Sequence, residues 1–172
     1  TYYAKTKDVS KYYTNPSSGK VTGYMEWVTL SEPMTKAELK VFWEIYVYSN
    51  PQYYFLDNSY MRSSGGTNAN GEKTHKKLAL SVYQAFWDGE YRSDETEKVR
   101  QQLDAWQQQI DACPTDAQKV KVIQDLICAK VTYNKKAANN EVDENISFSQ
   151  RLYSVICGEA AVCAGYADTF YI

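Results

Sequence analysis

The sequence contains a single histidine, His75, and no Cys-x-x-Cys pair, so it lacks the ligands of a zinc finger. It has four cysteines, Cys113, Cys128, Cys157 and Cys163, whose spacing leaves the disulfide pairing open. A chain of 172 residues does not need disulfides to hold a core. We therefore expect Cys113 and Cys128 to be small buried residues on helices. No motif implies a metal ion or an organic cofactor.

A strong excess of charge is also missing. Lys and Arg total 19 and Asp and Glu total 21, which gives a formal net charge of −2. This balance argues against a nucleic-acid partner, which would need a basic face. No apolar run approaches the roughly 20 residues that cross a bilayer, so we expect no membrane span. The chain opens with Thr1 and shows no signal peptide, which indicates a processed or excised product.

Tyrosine is unusually frequent among the aromatic residues, with 16 Tyr against 5 Phe and 4 Trp. Its ring has an apolar body and a polar tip, which suits half-exposed surfaces and clefts. Hydrophobic residues make up 44% and charged residues 23%, as in an ordinary globular protein. We therefore expect a folded protein that is extracellular or lies on the cell surface.

The first region, 1–92, is predicted to hold one helix and one hairpin. Apolar residues repeat at helical spacing over 35–48, where Thr35 and Glu38 form a capping box. Two segments with strand-like patterns follow, separated by a segment rich in Gly, Asn and Ser. We predict a hairpin of strands 53–61 and 76–87 with a mobile loop at 63–71.

The second region, 93–172, is predicted to be mainly helical, which makes the whole chain an α+β protein. Narrow apolar stripes, a capping residue at Thr115 and a break at Pro114 define the first two helices. The helices are expected at 93–112, at 115–130, from Ser147 or Ser149 to Ile156, and from Cys163 onward.

Cys163 stands where the last helix is predicted to begin, after a turn that contains glycine. The first N–H groups of a helix have no partner within it and favour negative charge, which suits a reactive thiolate. Ala164 and Gly165 are small enough to admit a substrate carbonyl, whose oxyanion the same N–H groups can stabilise. The alternative is a buried helical cysteine packed among alanines. An active site would require Cys163 to be a free thiol.

Residues 162–167 read VCAGYA and resemble the V-C-x-G-Y-A nucleophile motif of bacterial transglutaminase-like proteins. Residues 122–127 (VIQDLI) and 131–134 (VTYN) are similar to the helix and Y-[ND] element that precede this cysteine in the family. Residues 149–154 (SQRLYS) resemble its S-Q-x-x-Y-S approach to the active site. The resemblance covers roughly 50–172.

This resemblance implies the N-terminal half of a papain-like core and acyl-transfer chemistry. Cys163 would attack an amide or peptide carbonyl and form a thioester, which an amine (transferase) or water (hydrolase) then resolves. Gln150 is either a surface residue or a second catalytic residue that donates an amide N–H to the oxyanion. The implied substrate is a protein or peptide. The implied location is the exterior or cell surface of a Gram-positive bacterium.

In the family, a catalytic His and Asp should follow Cys163 by tens of residues, yet the sequence ends at Ile172. His75 lies upstream, and we expect it at the surface. We therefore expect an incomplete core with exposed apolar surface and at most weak activity. Residues 162–172 are expected to be poorly ordered or held by another chain, through self-association or fragment complementation. The alternative is an inactive surface or adhesion module with the same fold.

Overall fold

The structure, a computed structural model, describes residues 7–139, 141, 149–157 and 160–172. The fold is α+β, as predicted. It divides into two compact units, Thr1–Glu90 and Tyr91–Ile172. Within the described residues, no helix is both long and apolar enough to cross a membrane.

An antiparallel five-stranded sheet forms the first unit, and its central strand pairs along both edges. The strands are β1 (Lys11–Thr14), β2 (Val21–Tyr24), β3 (Val28–Thr35), β4 (Leu56–Thr67) and β5 (Lys73–Val82). β5 pairs with β4 along its whole length, and β2 and β3 share its other edge. β5 is therefore the central strand of the sheet and pairs with three of its other four strands.

Helix α1 (Lys36–Tyr48) packs against this sheet and confirms the helix predicted at 35–48. The Thr35 hydroxyl accepts the Glu38 N–H, and the Glu38 carboxylate accepts the Thr35 N–H at 2.7 Å, so the predicted capping box is present. The buried residues of the helix are Leu39, Trp43 and Val47, one turn apart on its inner face. The aromatic ring of Trp43 lies 5.6 Å from that of Tyr60 on β4.

The predicted hairpin is present, but the predicted loop at 63–71 is largely wrong. β4 continues to Thr67, and only the short segment between β4 and β5 forms the turn. The Asn68 side chain closes that turn by accepting the N–H groups of Asn70 and Glu72, and Gly71 takes a φ of 80°. Backbone pairing with β5 along its length keeps the Gly- and Ser-rich segment extended despite its composition.

His75 is buried, with 7% of its surface exposed, so the prediction of a surface histidine is wrong. It lies within β5, opposite Met34 of β3 on one edge and Ser64 of β4 on the other. A residue in the central strand of a sheet is covered from both edges, which the local sequence does not reveal. Burial, reinforced by the positive charges of Arg62 and Lys73, lowers the pKa of His75.

Asp57 makes the stability of this unit depend on pH. Its carboxylate is contacted by the Ser81 hydroxyl and accepts the Ser59 N–H at 2.5 Å. Burial raises its pKa, and the hydrogen bond from Ser59 and the charge of Lys20 oppose this. Because the folded-state pKa is raised, this carboxyl group favours folding at acidic pH and disfavours it once ionised.

We expect the contribution of Asp57 to the free energy of unfolding to fall as pH rises from about 4 toward neutrality, and Asp57→Asn to remove this fall. The measurement is urea unfolding followed by tryptophan fluorescence across that pH range. Glu32→Gln, which changes an exposed carboxylate on β3, is the matched control and should keep the wild-type slope. An unchanged slope in Asp57→Asn would show that Asp57 does not carry the effect.

The second unit combines helices with one short parallel strand pair. Its elements are α2 (Gly89–Asp111, which begins just before the unit boundary), α3 (Asp116–Lys130), α4 (Lys135–Ala138), α5 (Leu152–Ile156), α6 (Cys163–Tyr171), β6 (Thr132–Tyr133) and β7 (Ala160–Ala161). The helices predicted at 93–112 and 115–130 are confirmed, and Thr115 caps α3 by accepting the Gln118 N–H. Ser147 lies outside the described residues, and the short helix begins at Leu152.

Candidate active site

Helix α6 begins at Cys163, as predicted, and the cysteine side chain is exposed. Val162 precedes it in an extended conformation, with φ −104° and ψ 176°, and acts as the N-cap residue. The first N–H groups of a helix lack acceptors within the helix, and its N-terminus carries partial positive charge. The thiol therefore stands at the end of α6 that favours an anion and is open to a substrate.

Helix α6 packs within its own unit, whereas we expected 162–172 to lack such packing. It contacts α3 and α5 and buries Gly165, Asp168 and Thr169. These two helices supply the packing surface that a short isolated helix would lack. The predicted exposed apolar surface is present at the end of the chain, where Phe170, Tyr171 and Ile172 are exposed.

The segment that carries Gln150 is hydrogen-bonded to the start of α6. The Ser149 carbonyl accepts the Val162 N–H at 3.0 Å, and the two candidate site residues follow these partners directly in the chain. Gln150 is exposed, whereas its neighbours Ser149 and Arg151 are 2% and 3% exposed. The structure thus holds the backbone segments of Gln150 and Cys163 side by side and leaves both residues exposed.

Gly165 permits this close approach. A Cβ atom at this position would lie 2.8 Å from the Ser149 carbonyl oxygen and 3.2 Å from both the Arg151 carbonyl oxygen and the Ala161 Cβ. The first of these distances is too short for a real Cβ, so any larger residue must move the backbone of Ser149. The glycine of the VCAGYA motif is therefore required by packing.

We expect Gly165→Ala to destabilise the second unit by up to about 2 kcal/mol. Alanine normally gains about 1 kcal/mol over glycine within a helix. Overpacking against the Ser149 backbone costs about 1–3 kcal/mol and outweighs that gain. Urea unfolding followed by circular dichroism measures the change. Ala167→Gly, at an exposed position of the same helix, is the control for helix propensity. A stabilised Gly165→Ala variant would contradict the close approach.

The third segment that resembles the family, 131–134, also reaches the start of α6. β6 pairs in parallel with β7, which precedes Cys163, and the Asn134 N–H donates to the Ala161 carbonyl at 2.9 Å. The Asn134 side chain caps α4 by accepting the Ala137 N–H at 3.0 Å. Of the segments that resemble the family, 131–134, 149–154 and 162–167 therefore meet around the N-terminus of α6.

A buried ion pair, missed by the sequence analysis, links the Gln150 segment to α6. Arg151 Nε lies 3.7 Å from Asp168 Oδ2, and the two side chains are 3% and 6% exposed. Burial raises the pKa of Asp168, and the charge of Arg151 opposes this. The signal in the sequence was weak, since it consists of single charged residues within apolar or small segments that are far apart in the chain.

Tyr153, from the SQRLYS segment, anchors α5 to α2. Its hydroxyl donates to the buried Glu95 carboxylate at 2.6 Å, and Lys98 donates to the same carboxylate at 2.5 Å. Burial alone would raise the pKa of Glu95, but the hydrogen bonds from Lys98 and Tyr153 outweigh it, so the pKa is lowered. Burial and the bond to Glu95 raise the pKa of Tyr153 well above its ordinary value. Tyr153 is therefore a structural hydrogen-bond donor.

All four cysteines are free thiols. Cys128 is exposed on α3 and Cys113 is half-buried just after α2, so the prediction that both are buried on helices is wrong. Cys113 lies beyond the last residue of α2, and α3 turns Cys128 outward while its neighbour Ile127 is buried in the core. Among the described residues, no group of three or more His, Cys, Asp and Glu side chains could hold a metal ion.

The single histidine lacks the exposure expected of a general base. His75 belongs to the first compact unit, where it is buried in the central strand of the sheet. A general base must reach the proton that it removes, directly or through one water. Buried in this way, the His75 side chain is not accessible to a substrate.

Comparison with protein-family models, with curated proteins and with solved structures finds no match to this chain. Function must therefore be inferred from the residues around Cys163 and from the resemblance of four short segments to a known family.

Proposed function

We propose that this chain carries the nucleophile half of a transglutaminase-like thiol acyl-transfer site, with Cys163 as the nucleophile. The observation that supports this most is the meeting of three family-like segments at one helix N-terminus. Segments 131–134 and 149–154 are separate from 162–167 in sequence, yet both hydrogen-bond to the residues just before Cys163. A buried cysteine among alanines would need neither an exposed thiol nor this arrangement.

The proposed reaction proceeds in two steps. The Cys163 thiolate attacks the carbonyl of a carboxamide or peptide, and collapse of the tetrahedral intermediate gives a thioester and releases ammonia or an amine. Water or a second amine then attacks the thioester and regenerates the thiol. The leaving nitrogen takes up a proton, which we assign to a histidine oriented by an aspartate, neither of which corresponds to a residue of this sequence.

Gln150 is proposed as the side-chain donor to the oxyanion of the intermediate. Its amide can donate two hydrogen bonds, and the backbone N–H groups at the start of α6 supply further donors. The support is its location, since Ser149 fixes the preceding peptide group against Val162 and the Gln150 side chain remains exposed. The substrate class that we propose is a protein or peptide, met outside the cell or at the surface of a Gram-positive bacterium.

The second candidate is an interaction module with this fold that does not catalyse. Helix α1 favours it, because Val41, Ile45 and Tyr48 are 56%, 60% and 58% exposed on the side opposite its buried row. An apolar stripe on the outer face of a helix is typical of a surface that contacts another molecule. An inactive module would show no special reactivity at Cys163, which separates the two candidates.

Two reagents separate nucleophilicity from oxyanion stabilisation at Cys163. Iodoacetamide alkylates a thiolate at saturated carbon and forms no oxyanion. The ester p-nitrophenyl acetate acylates it through a tetrahedral oxyanion, and its leaving group needs no proton, so no histidine is required. Peptide mass spectrometry gives both rates at each cysteine. We call the acylation rate divided by the alkylation rate at one cysteine its acylation-to-alkylation ratio.

We expect Gln150→Ala to lower acylation of Cys163 by at least about tenfold while alkylation stays unchanged. The physical reason is that only acylation builds charge on an oxygen that the Gln150 amide could stabilise. Gln109→Ala, at an exposed glutamine of α2, is the matched control and should change neither rate. Equal effects on both reagents, or no effect on either, would remove Gln150 from the proposed site.

A further inference from the structure

We infer that the buried Arg151–Asp168 pair positions Gln150 relative to Cys163. The inference rests on the proposed function, because it concerns a residue pair that acts through Gln150. Arg151 follows Gln150 directly in the chain, and Asp168 lies on α6, the helix that Cys163 opens. The pair therefore ties together the two elements that carry the two proposed site residues.

Each side of Gln150 is fixed by a different interaction. On one side, the Ser149 carbonyl accepts the Val162 N–H at 3.0 Å. On the other, Arg151 is the N-cap residue of α5, its carbonyl accepts the Ser154 N–H at 3.2 Å, and its guanidinium faces Asp168. Gln150 is thus an exposed side chain held between two buried, anchored residues.

The pair is better suited to fixing geometry than to adding stability. Buried ion pairs can often be replaced by apolar residues of similar volume without loss of stability. Asp168 Oδ2 accepts no hydrogen bond from the residues that the structure describes, so the charge of Arg151 is what offsets its burial. An oxyanion donor, in contrast, must be placed accurately, because a misplacement of about 1 Å can cost about 100-fold in rate.

The test uses the acylation-to-alkylation ratio at Cys163 in Asp168→Asn and Arg151→Lys. We expect Asp168→Asn to lower the ratio by about tenfold, because it keeps the shape but removes the charge that orients Arg151. Arg151→Lys keeps a positive charge at the same place and should lower the ratio less than Asp168→Asn does. In a Gln150→Ala background, Asp168→Asn should cause no further loss, since the residue through which it acts is absent.

Thermal unfolding followed by circular dichroism shows whether each variant is folded. If Asp168→Asn does not fold, the double variant Arg151→Met/Asp168→Leu takes its place. It replaces both charged side chains by apolar ones and should show the same lowered ratio. An unchanged ratio in a folded variant, with Gln150→Ala still lowering it, overturns the inference and leaves the proposed function standing. The inference is also overturned if Asp168→Asn lowers the ratio as much in the Gln150→Ala background as in the wild-type protein. A wild-type ratio at Cys163 no higher than at Cys128 overturns both.

Discussion

Replacing Cys163 with serine is expected to lower the acylation of position 163 by p-nitrophenyl acetate by at least about a thousandfold. A hydroxyl is far less ionised than a thiol near neutral pH, and no accessible histidine in the chain could activate it. The N-terminus of α6 and Gln150 would remain in place, so the loss would come from the nucleophile itself. The measurement is the acetyl adduct on the peptide that carries position 163.

Cys128→Ser is the matched control for this experiment, because it changes another exposed cysteine in the same compact unit. It should remove only its own adduct and leave the acylation of Cys163 at the wild-type rate. Circular dichroism should show both variants folded, since an exposed Cys→Ser change removes little buried area. Retention of the adduct at position 163 in Cys163→Ser would contradict the assignment of Cys163 as nucleophile.

Asp168→Ala is expected to destabilise the second unit by about 3–5 kcal/mol. The substitution leaves the Arg151 guanidinium buried with its charge less compensated, and it opens space inside the packing of α6. The double variant Arg151→Met/Asp168→Leu removes both charges and fills the space, so its stability should lie close to that of wild type. Urea unfolding followed by circular dichroism compares the three proteins.

Comparing the stability of Asp168→Ala with that of the double variant separates the effect of charge from the effect of packing volume. If charge compensation governs the loss, the double variant is more stable than Asp168→Ala. If both variants are destabilised equally, the cost arises from packing volume alone and the charge of Arg151 is not the cause. If Asp168→Ala unfolds at the wild-type midpoint, the pair contributes nothing to the stability of the unit.

The features that were predictable from the sequence are those set by neighbours within a few residues. The capping box of Thr35 and the capping residue Thr115 locate the starts of α1 and α3. Both are predictable because each threonine hydroxyl accepts the N–H of the third residue of the helix that it caps. Cys163 as the first residue of α6 follows from the small residues after it and from the VCAGYA pattern. The meeting of Gln150 and Cys163 was expected only through the family resemblance.

The features that were not predictable depend on residues far apart in the chain. His75 lies in a central strand because β3 pairs with β5 on the edge opposite β4, and nothing near His75 in sequence specifies β3 as a partner. The strand through Gly65 is extended because it pairs with β5, although its Gly- and Ser-rich composition indicates a loop. Arg151 and Asp168 form a pair only because α6 packs beside the Gln150 segment.

The central claim is that Cys163 is a nucleophile with built-in oxyanion stabilisation. The most direct test compares the acylation-to-alkylation ratio of Cys163 with that of Cys128 in the same wild-type molecules. Dividing by the alkylation rate cancels the nucleophilicity of each thiol, so the ratio isolates stabilisation of the oxyanion. We predict a ratio at least about tenfold higher at Cys163. Equal ratios at the two cysteines would contradict the claim.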